Sequence, residues 1–534
     1  MDQSQAGPPI LTSAASPRAV LCGAYATVAA LFVAVLVAFR HHGVLGEGDL
    51  YYVALGIIDS VRSGVGLATP DHYGKSISFG YLWLLFTLFD AHVLSDPAAL
   101  IAIINTIGFV AAVISAGLLL YVLAVAYGHD RALAGSILFL FSPVYIDLAF
   151  SGHQILTSLA CLFAATALTV RRSAAMMPLR YAAAFVLLTA GLTVRIDIFL
   201  GLPWFVLIGC NPLQAADRRL AYLRAAIGFA AIGAFIGLQQ WFAGDSVAGE
   251  AAFFLGYYRL SQLPKGAFHL LLACGLVTAL VSLAVLLRMV RGALWPAWIR
   301  SKSFSVLLDA TVLIVPSTAF WILNPLPARH FVLAVLGIAI LAGHGVAVAA
   351  RGRMGWTVLL AGTIAALNPM VGLGIGLAKN AVVAPEYIRR DGSPVIAAQM
   401  QPFWHRAAAR ERHSEATRML AADLARLCND KAILLTDAEG HVALGLYAQL
   451  GGFTRDETEL LGREAYRFRF DGKELLIVTK THYWPRDAVA DILADHASDG
   501  YQLIADPDAM SMYDRTPIPP ARRARTGCEA APQQ

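Results

Sequence analysis

Residues 99–127 have the sequence ALIAIINTIGFVAAVISAGLLLYVLAVAY, in which no side chain is charged. A transmembrane α-helix needs only about 20 consecutive, mostly apolar residues. Comparable apolar runs recur along the chain as far as residue 376, separated by short polar or basic segments. The sequence therefore predicts an all-α polytopic membrane domain.

The composition of the whole chain agrees with this prediction. Of its 534 residues, 57% are hydrophobic and 14% are charged, and the mean hydropathy is +0.61. Soluble domains carry about 25% charged residues, so a soluble protein this apolar could not cover its surface. The net charge of +5 is scattered between the apolar runs. It indicates orientation signals beside a membrane, and we expect no nucleic-acid partner.

We divide the chain into a disordered N-terminus (1–17), a transmembrane domain (18–376), an extracytoplasmic α/β domain (377–516) and a disordered tail (517–534). The first extracytoplasmic loop is 40–76. We expect about 11–13 transmembrane helices. The candidate spans are 19–39, 77–94, 99–127, 132–150, 154–170, 180–194, 196–210, 225–243, 267–288, 304–323, 330–350 and 356–376.

The orientation follows from Arg and Lys, which concentrate on the cytoplasmic side. We place Arg18, and with it the N-terminus, on the cytoplasmic side, together with four later basic clusters. The first loop and the C-terminal domain then lie on the extracytoplasmic side. The membrane would be a plasma membrane of the bacterial inner-membrane type. An even number of spans would place that domain inside, so we expect one miscounted crossing between 77 and 152, with Asp96–Tyr127 as the suspect. The clusters are Arg171/Arg172/Arg180, Arg218/Arg219/Arg224, Arg288/Arg291/Arg300/Lys302 and Arg351/Arg353.

The C-terminal part changes character and predicts a small α/β module. Its short apolar runs indicate buried strands. Cys428 and Cys528 could pair if this part faces an oxidising compartment. The predicted strands are 431–436 and 474–479, and the predicted helices are 440–450 and 487–497.

The first loop carries two carboxylates, Glu47 and Asp49, in a Gly-rich stretch directly after the first span. In an extended backbone, residues two apart point the same way. Both side chains can then face one site and bind a divalent cation such as Mg²⁺ or Mn²⁺, or one can act as a general base. The alternative is that they are solvated acids at a helix end.

The segment after these acids is amphipathic. Leu50, Ala54, Ile57, Ile58 and Val61 fall on one helical face. Such a helix is typical of a membrane interface. It would hold the two carboxylates at the surface, where they could meet the head group of a lipid-borne substrate.

These features resemble the GT-C glycosyltransferase superfamily, which includes the protein O-mannosyltransferases and the aminoarabinose transferase that modifies lipid A. The resemblance is carried by the first-loop acids with G-D-L-Y-Y at 48–52, and by P-L-P-A-R-H-F at 325–331. Ser142-Pro143 before a polar turn at 151–154 also fits. The chain departs from the commoner Asp-Glu pair, because Leu50 follows Asp49.

The resemblance implies a sugar transferase that uses a polyprenyl-phosphate-linked donor and inverts the anomeric carbon. It would act on a lipid, glycan or protein acceptor hydroxyl among membrane lipids. Asp49 would be the base that takes the acceptor proton, and Glu47 would bind a metal or tune Asp49. The lipid phosphate that leaves requires positive charge, and Arg suits phosphate geometry.

Several residues on the outer side could bind this substrate. Arg329 and His330 stand at the mouth of a span, where a snorkelling pair is the alternative. Arg195 lies between two apolar runs, where a structural ion pair with Asp197 is the alternative. His153 lies at a turn, where a satisfied interfacial residue is the alternative. The remaining candidates, which could instead be aromatic-belt anchors, are Arg259, Lys265 and Tyr257.

Two other functions compete with a transferase. A transporter or flippase of a lipid-linked or anionic solute would show paired repeats with broken spans. The repeats are absent from the sequence, although Pro203 and Pro316 interrupt apolar runs. A structural or assembly protein of the membrane would need no outward acid pair.

Overall fold

The structure is a computed structural model that describes a large part of the chain. The described residues are 17–39, 45, 50, 53–54, 56–58, 61, 75–170, 177–211, 214–243, 258–292, 302–323, 328–383, 431–437, 456–460, 463–470, 473–480 and 502–503. The predicted disorder at 1–17 and 517–534, apart from residue 17, falls outside them.

The described residues before 384 are mainly helical. Positions 50, 53, 54, 56–58 and 61 are helical as well. Short 3₁₀ turns occur at Ile196–Gly201, Leu260–Gln262 and Ala328–Phe331. The α-helices are α1 (Pro17–Phe39), α2 (Lys75–Leu88), α3 (Ala91–Leu94), α4 (Pro97–Tyr127), α5 (His129–Leu140), α6 (Pro143–Ser151), α7 (Ile155–Val170), α8 (Met177–Val194), α9 (Leu202–Leu207), α10 (Ala215–Ala243), α11 (Leu263–Cys274), α12 (Leu276–Gly292), α13 (Lys302–Trp321), α14 (Val332–Ala349) and α15 (Met354–Val383).

The protein is a multi-pass membrane protein by the length and apolarity of these helices. Among the described residues, six helices are long and apolar enough to cross a membrane, or up to eight if each of two bent pairs is one span. The other predicted spans correspond to shorter apolar helices of 10–17 residues. The helical character of the predicted spans is thus confirmed, while the total of about 11–13 crossings stays a prediction.

The stretch suspected of hiding an extra crossing is one unbroken helix. α4 runs over 31 residues, and the Asp96 side chain caps its start by accepting the backbone N–H of Ala98 at 3.0 Å. The suspicion about Asp96–Tyr127 was therefore wrong. Between residues 77 and 152, a bent pair of helices lies later in the chain, where α5 and α6 meet at 62°.

α14 is the central helix of the described bundle, and 89% of its membrane-spanning window is buried. It packs against α5, α12 and α13. Small residues allow the backbones to approach closely. A Cβ on Gly343 would meet the backbone of Gly135 in α5, and a Cβ on Gly337 would meet the carbonyl oxygen of Ala310 in α13.

Buried polar side chains join distant helices. The Tyr127 hydroxyl and the Gly209 backbone N–H donate to Asp309 Oδ2 at 2.7 and 3.2 Å. An acid within an apolar run is costly unless it has a partner, and Tyr127 of α4 is such a partner for Asp309. Arg224 belongs to one of the basic clusters assigned to the cytoplasmic side, but its side chain is fully buried and donates to backbone carbonyl groups such as that of Thr169. Only Arg218 and Arg219 of that cluster are exposed.

The C-terminal part contains a five-stranded sheet in the order β2-β3-β4-β1-β5. β1 pairs in parallel with β4 and β5, and β3 pairs antiparallel with β2 and β4. Both predicted strands are confirmed. The predicted helices and Cys428 and Cys528 lie outside the described residues, so the α/β assignment stays a prediction. The strands are β1 (Lys431–Asp437), β2 (Asp456–Leu460), β3 (Arg463–Phe470), β4 (Lys473–Lys480) and β5 (Gln502–Leu503).

Candidate functional site

The predicted acid pair lies just outside the described residues, as does Tyr257. Leu45 and Leu50, which flank the pair, are both buried. They belong to one cluster of buried side chains with residues of α2 and α4 and with Val194, the last residue of α8. The roles of Glu47 and Asp49 stay predictions, but both ends of their short segment are anchored on the helix bundle.

The amphipathic segment after the acids packs on protein. Leu50, Ala54, Ile57 and Ile58 are at most 2% exposed and contribute to the same cluster. We predicted that this face would contact lipid. The correction has a simple cause, because α2 and α4 offer apolar side chains that cover the face as a bilayer would.

Arg195, Asp197 and His330 form a buried charged cluster. Arg195 Nε lies 2.9 Å from Asp197 Oδ2, and His330 Nδ1 lies 3.4 Å from the same oxygen. The three residues are 4%, 5% and 6% exposed. The predicted pair of Arg195 with Asp197 is therefore present. The contact of His330 with this pair was not predicted, because His330 lies on a segment distant in sequence.

Local structure explains how these side chains meet. α8 ends at Val194, and the backbone of Arg195 is extended, with φ −158°, before the turn Ile196–Gly201 that carries Asp197. His330 lies in the turn Ala328–Phe331, directly before α14. α13 packs against both turns and so holds them side by side.

Aromatic side chains surround this cluster. The rings of Trp321 and His330 lie 4.4 Å apart between centroids. Phe320 makes edge contacts with Phe199 at 5.8 Å and with Tyr258 at 6.0 Å. The Tyr258 hydroxyl also donates to the Phe320 carbonyl oxygen at 2.6 Å. The aromatic contacts therefore connect the 258–262 segment to the charged cluster.

The other predicted cations lie around this region. Arg329 is half-buried beside His330 in the chain. Arg259 is exposed, and its backbone N–H donates to the Leu323 carbonyl oxygen at 3.1 Å. Lys265 is exposed at the start of α11, which packs against the turn Ala328–Phe331. The structure thus brings together the segments that carry Arg195, Arg329, and the pair Arg259 and Lys265.

His153 is fully buried in the turn between α6 and α7. Its Nδ1 accepts the backbone N–H of Ile155 at 3.2 Å, which caps the start of α7. The preceding Gly152 has φ +66° and lies against Asn105 of α4, where a side chain would be crowded. These contacts explain His153 as a structural residue, and its predicted substrate role stays a prediction.

An apolar groove of about 870 Å³ lies between α2, α7, α8 and α10. Gly80, Cys161 and Gly237 are among its lining residues. Trp83 and Trp241 at its wall are 53% and 83% exposed, so the groove opens to the side of the bundle. The lining extends along α8 to Val194, the residue before Arg195. The lining of the groove therefore ends one residue before Arg195 of the charged cluster.

Within the described ranges, no group of three or more His, Cys, Asp or Glu residues could hold a metal ion. The predicted metal ligands Glu47 and Asp49 lie outside these ranges. Metal binding by Glu47 and Asp49 therefore stays a prediction.

Comparison with known proteins shows which solved structures this protein resembles in fold. No protein-family model matches the sequence, and no curated protein matches it. The structure is similar to that of ArnT from Cupriavidus metallidurans in the apo state, with a TM-score of 0.51 and 13% identity over 81% of this chain and 85% of that one. At this identity the similarity shows the fold alone. The predicted GT-C fold is confirmed at that level.

Two further solved structures score lower. ArnT from Cupriavidus metallidurans bound to undecaprenyl phosphate gives a TM-score of 0.49 at 14% identity, covering 82% of this chain and 85% of that one. The oligosaccharyltransferase AglB from Archaeoglobus fulgidus, in complex with an inhibitory peptide and a dolichol-phosphate, gives 0.48 at 10% identity, covering 79% and 63%.

Proposed function

We propose that this protein is a glycosyltransferase that moves a sugar from a polyprenyl-phosphate donor to an acceptor hydroxyl at the outer face of a membrane. The observation that carries the proposal is an apolar groove whose lining reaches Val194, the residue before Arg195 in the buried cluster with Asp197 and His330. A polyprenyl-phosphate lipid has the matching chemistry, since its long apolar tail ends in an anionic head group.

The fold supports the same class. ArnT, whose apo structure shares this fold, is a lipid A aminoarabinose transferase. It has also been solved with undecaprenyl phosphate bound. Polyprenyl phosphate is therefore the lipid with which we would test this chain.

The proposed reaction is an inverting displacement. The acceptor oxygen forms a bond to the anomeric carbon as its proton passes to the carboxylate of Asp49. The bond from that carbon to the phosphate oxygen breaks, and the electron pair leaves with the lipid phosphate. Arg195, Arg329 and His330 stabilise this developing negative charge, and such electrostatic stabilisation is usually the largest single contribution to catalysis.

Three parts of the proposal rest on the sequence. Glu47 would tune Asp49 or help it to hold Mg²⁺ or Mn²⁺. Arg259 and Lys265 would contact the head group, the sugar or the acceptor from the 258–265 segment. The C-terminal domain would lie outside and bind the acceptor or cover the site.

A transfer assay in membranes tests the proposal. Full-length wild-type protein should transfer radiolabelled sugar from a polyprenyl-phosphate donor, and Asp49→Asn should abolish transfer at normal expression. An Asp49→Asn variant with full activity would remove the catalytic assignment. Movement of the lipid across the membrane by wild-type protein, without any transfer, would favour a flippase instead.

A further inference from the structure

We propose that Asp197 is a positioning residue that orients Arg195 and His330 together toward the phosphate of the lipid donor. This inference rests on the proposed function. It gives a role to a residue whose pairing with Arg195 would otherwise be only structural.

The geometry of one oxygen atom carries the argument. Asp197 Oδ2 lies 2.9 Å from Arg195 Nε and 3.4 Å from His330 Nδ1. A single buried carboxylate oxygen therefore accepts a hydrogen bond from Arg195 and lies within ion-pair distance of His330, which belongs to a separate chain segment. Because both contacts use the same oxygen, a change at Asp197 alters one contact of Arg195 and one of His330 at once.

The packing around His330 fixes the position of its ring but not the direction of its nitrogen atoms. The Trp321 ring lies against the imidazole, with an angle of 41° between the planes. This contact fixes the position of the His330 ring, but the apolar face of Trp321 does not determine in which direction Nδ1 and Nε2 of His330 point. The carboxylate of Asp197 does so, because it attracts Nδ1. The opposite edge of the ring, which carries Nε2, then points away from Asp197.

A purely compensating role for Asp197 makes the opposite prediction. If the carboxylate only neutralised buried Arg195, its removal would leave a more positive site that binds an anion more tightly. If Asp197 orients Arg195 and His330, its removal weakens anion binding, because misplaced donor groups stabilise a phosphate poorly. The sign of the change in affinity therefore separates the two roles.

The experiment measures the Kd of undecaprenyl phosphate for purified full-length protein in detergent, together with the Tm. Asp197→Asn keeps the size of the side chain and should raise the Kd about tenfold. Asp197→Glu keeps the charge but shifts it by one methylene, and should recover part of the loss, to about threefold above wild type. The matched control is Asp309→Asn, the same substitution at another buried acid, whose observed partners are Tyr127 and Gly209. It should lower the Tm and leave the Kd within about twofold.

Unchanged or tighter binding by Asp197→Asn would overturn the inference and leave the proposed function standing. If Asp197→Asn does not fold, Asp197→Glu decides, and a wild-type Kd in that variant would likewise overturn the inference. If wild-type protein binds no undecaprenyl phosphate, the proposed function itself fails, and the inference fails with it.

Discussion

Arg224 donates a 2.9 Å hydrogen bond from Nη2 to the carbonyl oxygen of Thr169, in the last turn of α7. Its Nη1 donates at 2.9 Å to the carbonyl oxygen of Ile208, just beyond α9. The last carbonyl groups of a helix have no partner within the helix. One side chain of α10 thus satisfies carbonyl groups at the ends of two other helices, and in a bilayer no water would replace it there.

We expect Arg224→Ala to lower the free energy of unfolding by about 3 kcal/mol, since it leaves these buried carbonyl groups without their charged donor. Thermal unfolding of purified protein in detergent measures the change. Arg219→Ala is the matched control, because Arg219 is exposed on the same helix. The control should change stability by less than about 0.5 kcal/mol. Equal effects of both substitutions would contradict the structural role of Arg224.

A second stabilising contact lies at the sharper of the two bends within apolar helix pairs of the described chain, where α11 and α12 meet at 98°. Asn368 Oδ1 accepts the backbone N–H groups of Val277 and Thr278 at 3.0 and 3.2 Å. Asn368 Nδ2 also donates to Thr278 Oγ1 at 2.8 Å. The Asn368 side chain, from α15, therefore caps the start of α12.

Asn368→Ala should cost about 1–2 kcal/mol of unfolding free energy, the usual range for a lost helix cap. Thr363→Ala provides a control on the same helix. Thr363 is exposed, and its hydroxyl donates to the carbonyl oxygen of Leu359 in that helix. Chemical denaturation in mixed micelles can compare the two variants. A loss of stability at Thr363 as large as that at Asn368 would count against the cap.

The sequence predicted those parts of the fold that depend on composition and local pattern. Apolar runs located the helices, and short apolar runs located β1 and β4. A buried acid is costly in an apolar surrounding, so the need of Asp309 for a partner was also predictable. Its partners Tyr127 and Gly209 were not, because they depend on how distant helices pack.

The candidate site shows the same limit. Arg195 and Asp197 are neighbours in sequence, so their ion pair could be anticipated. The approach of His330 depends on α13, which packs against both 3₁₀ turns. The groove could not be predicted at all, since Gly80, Cys161 and Gly237 lie on three helices and form one lining only in the folded bundle.

Cys161 provides a native reporter of groove occupancy. Its side chain is partly exposed and lines the groove, whereas Cys22 is exposed on α1 and is not a lining residue. We expect saturating undecaprenyl phosphate to slow maleimide labelling of Cys161 by about tenfold, because a bound chain covers the thiol. Labelling at Cys22, followed by peptide mass spectrometry in the same sample, should not change. Equal protection at both sites would indicate a general effect of the lipid on the micelle.

Gly237 allows the groove to be narrowed without disturbing the bundle. A Cβ added at Gly237 meets no atom of the described residues within 4 Å, and the same holds for Gly233, one turn earlier on α10. Gly237 lines the groove and Gly233 does not. Both substitutions to Leu add the same apolar volume to the same helix, so they match in propensity and in hydrophobicity. Any difference between them must come from the groove.

Gly237→Leu should therefore weaken use of the lipid donor by about tenfold in KM, since one added side chain in an apolar pocket costs about 1–3 kcal/mol of binding. Gly233→Leu should leave the KM within about twofold. The transfer assay with varied lipid donor measures both, and the thermal unfolding of each variant checks that the bundle is intact. A Gly233→Leu variant as impaired as Gly237→Leu would place the effect in the helix, and the groove would then have no part in donor binding.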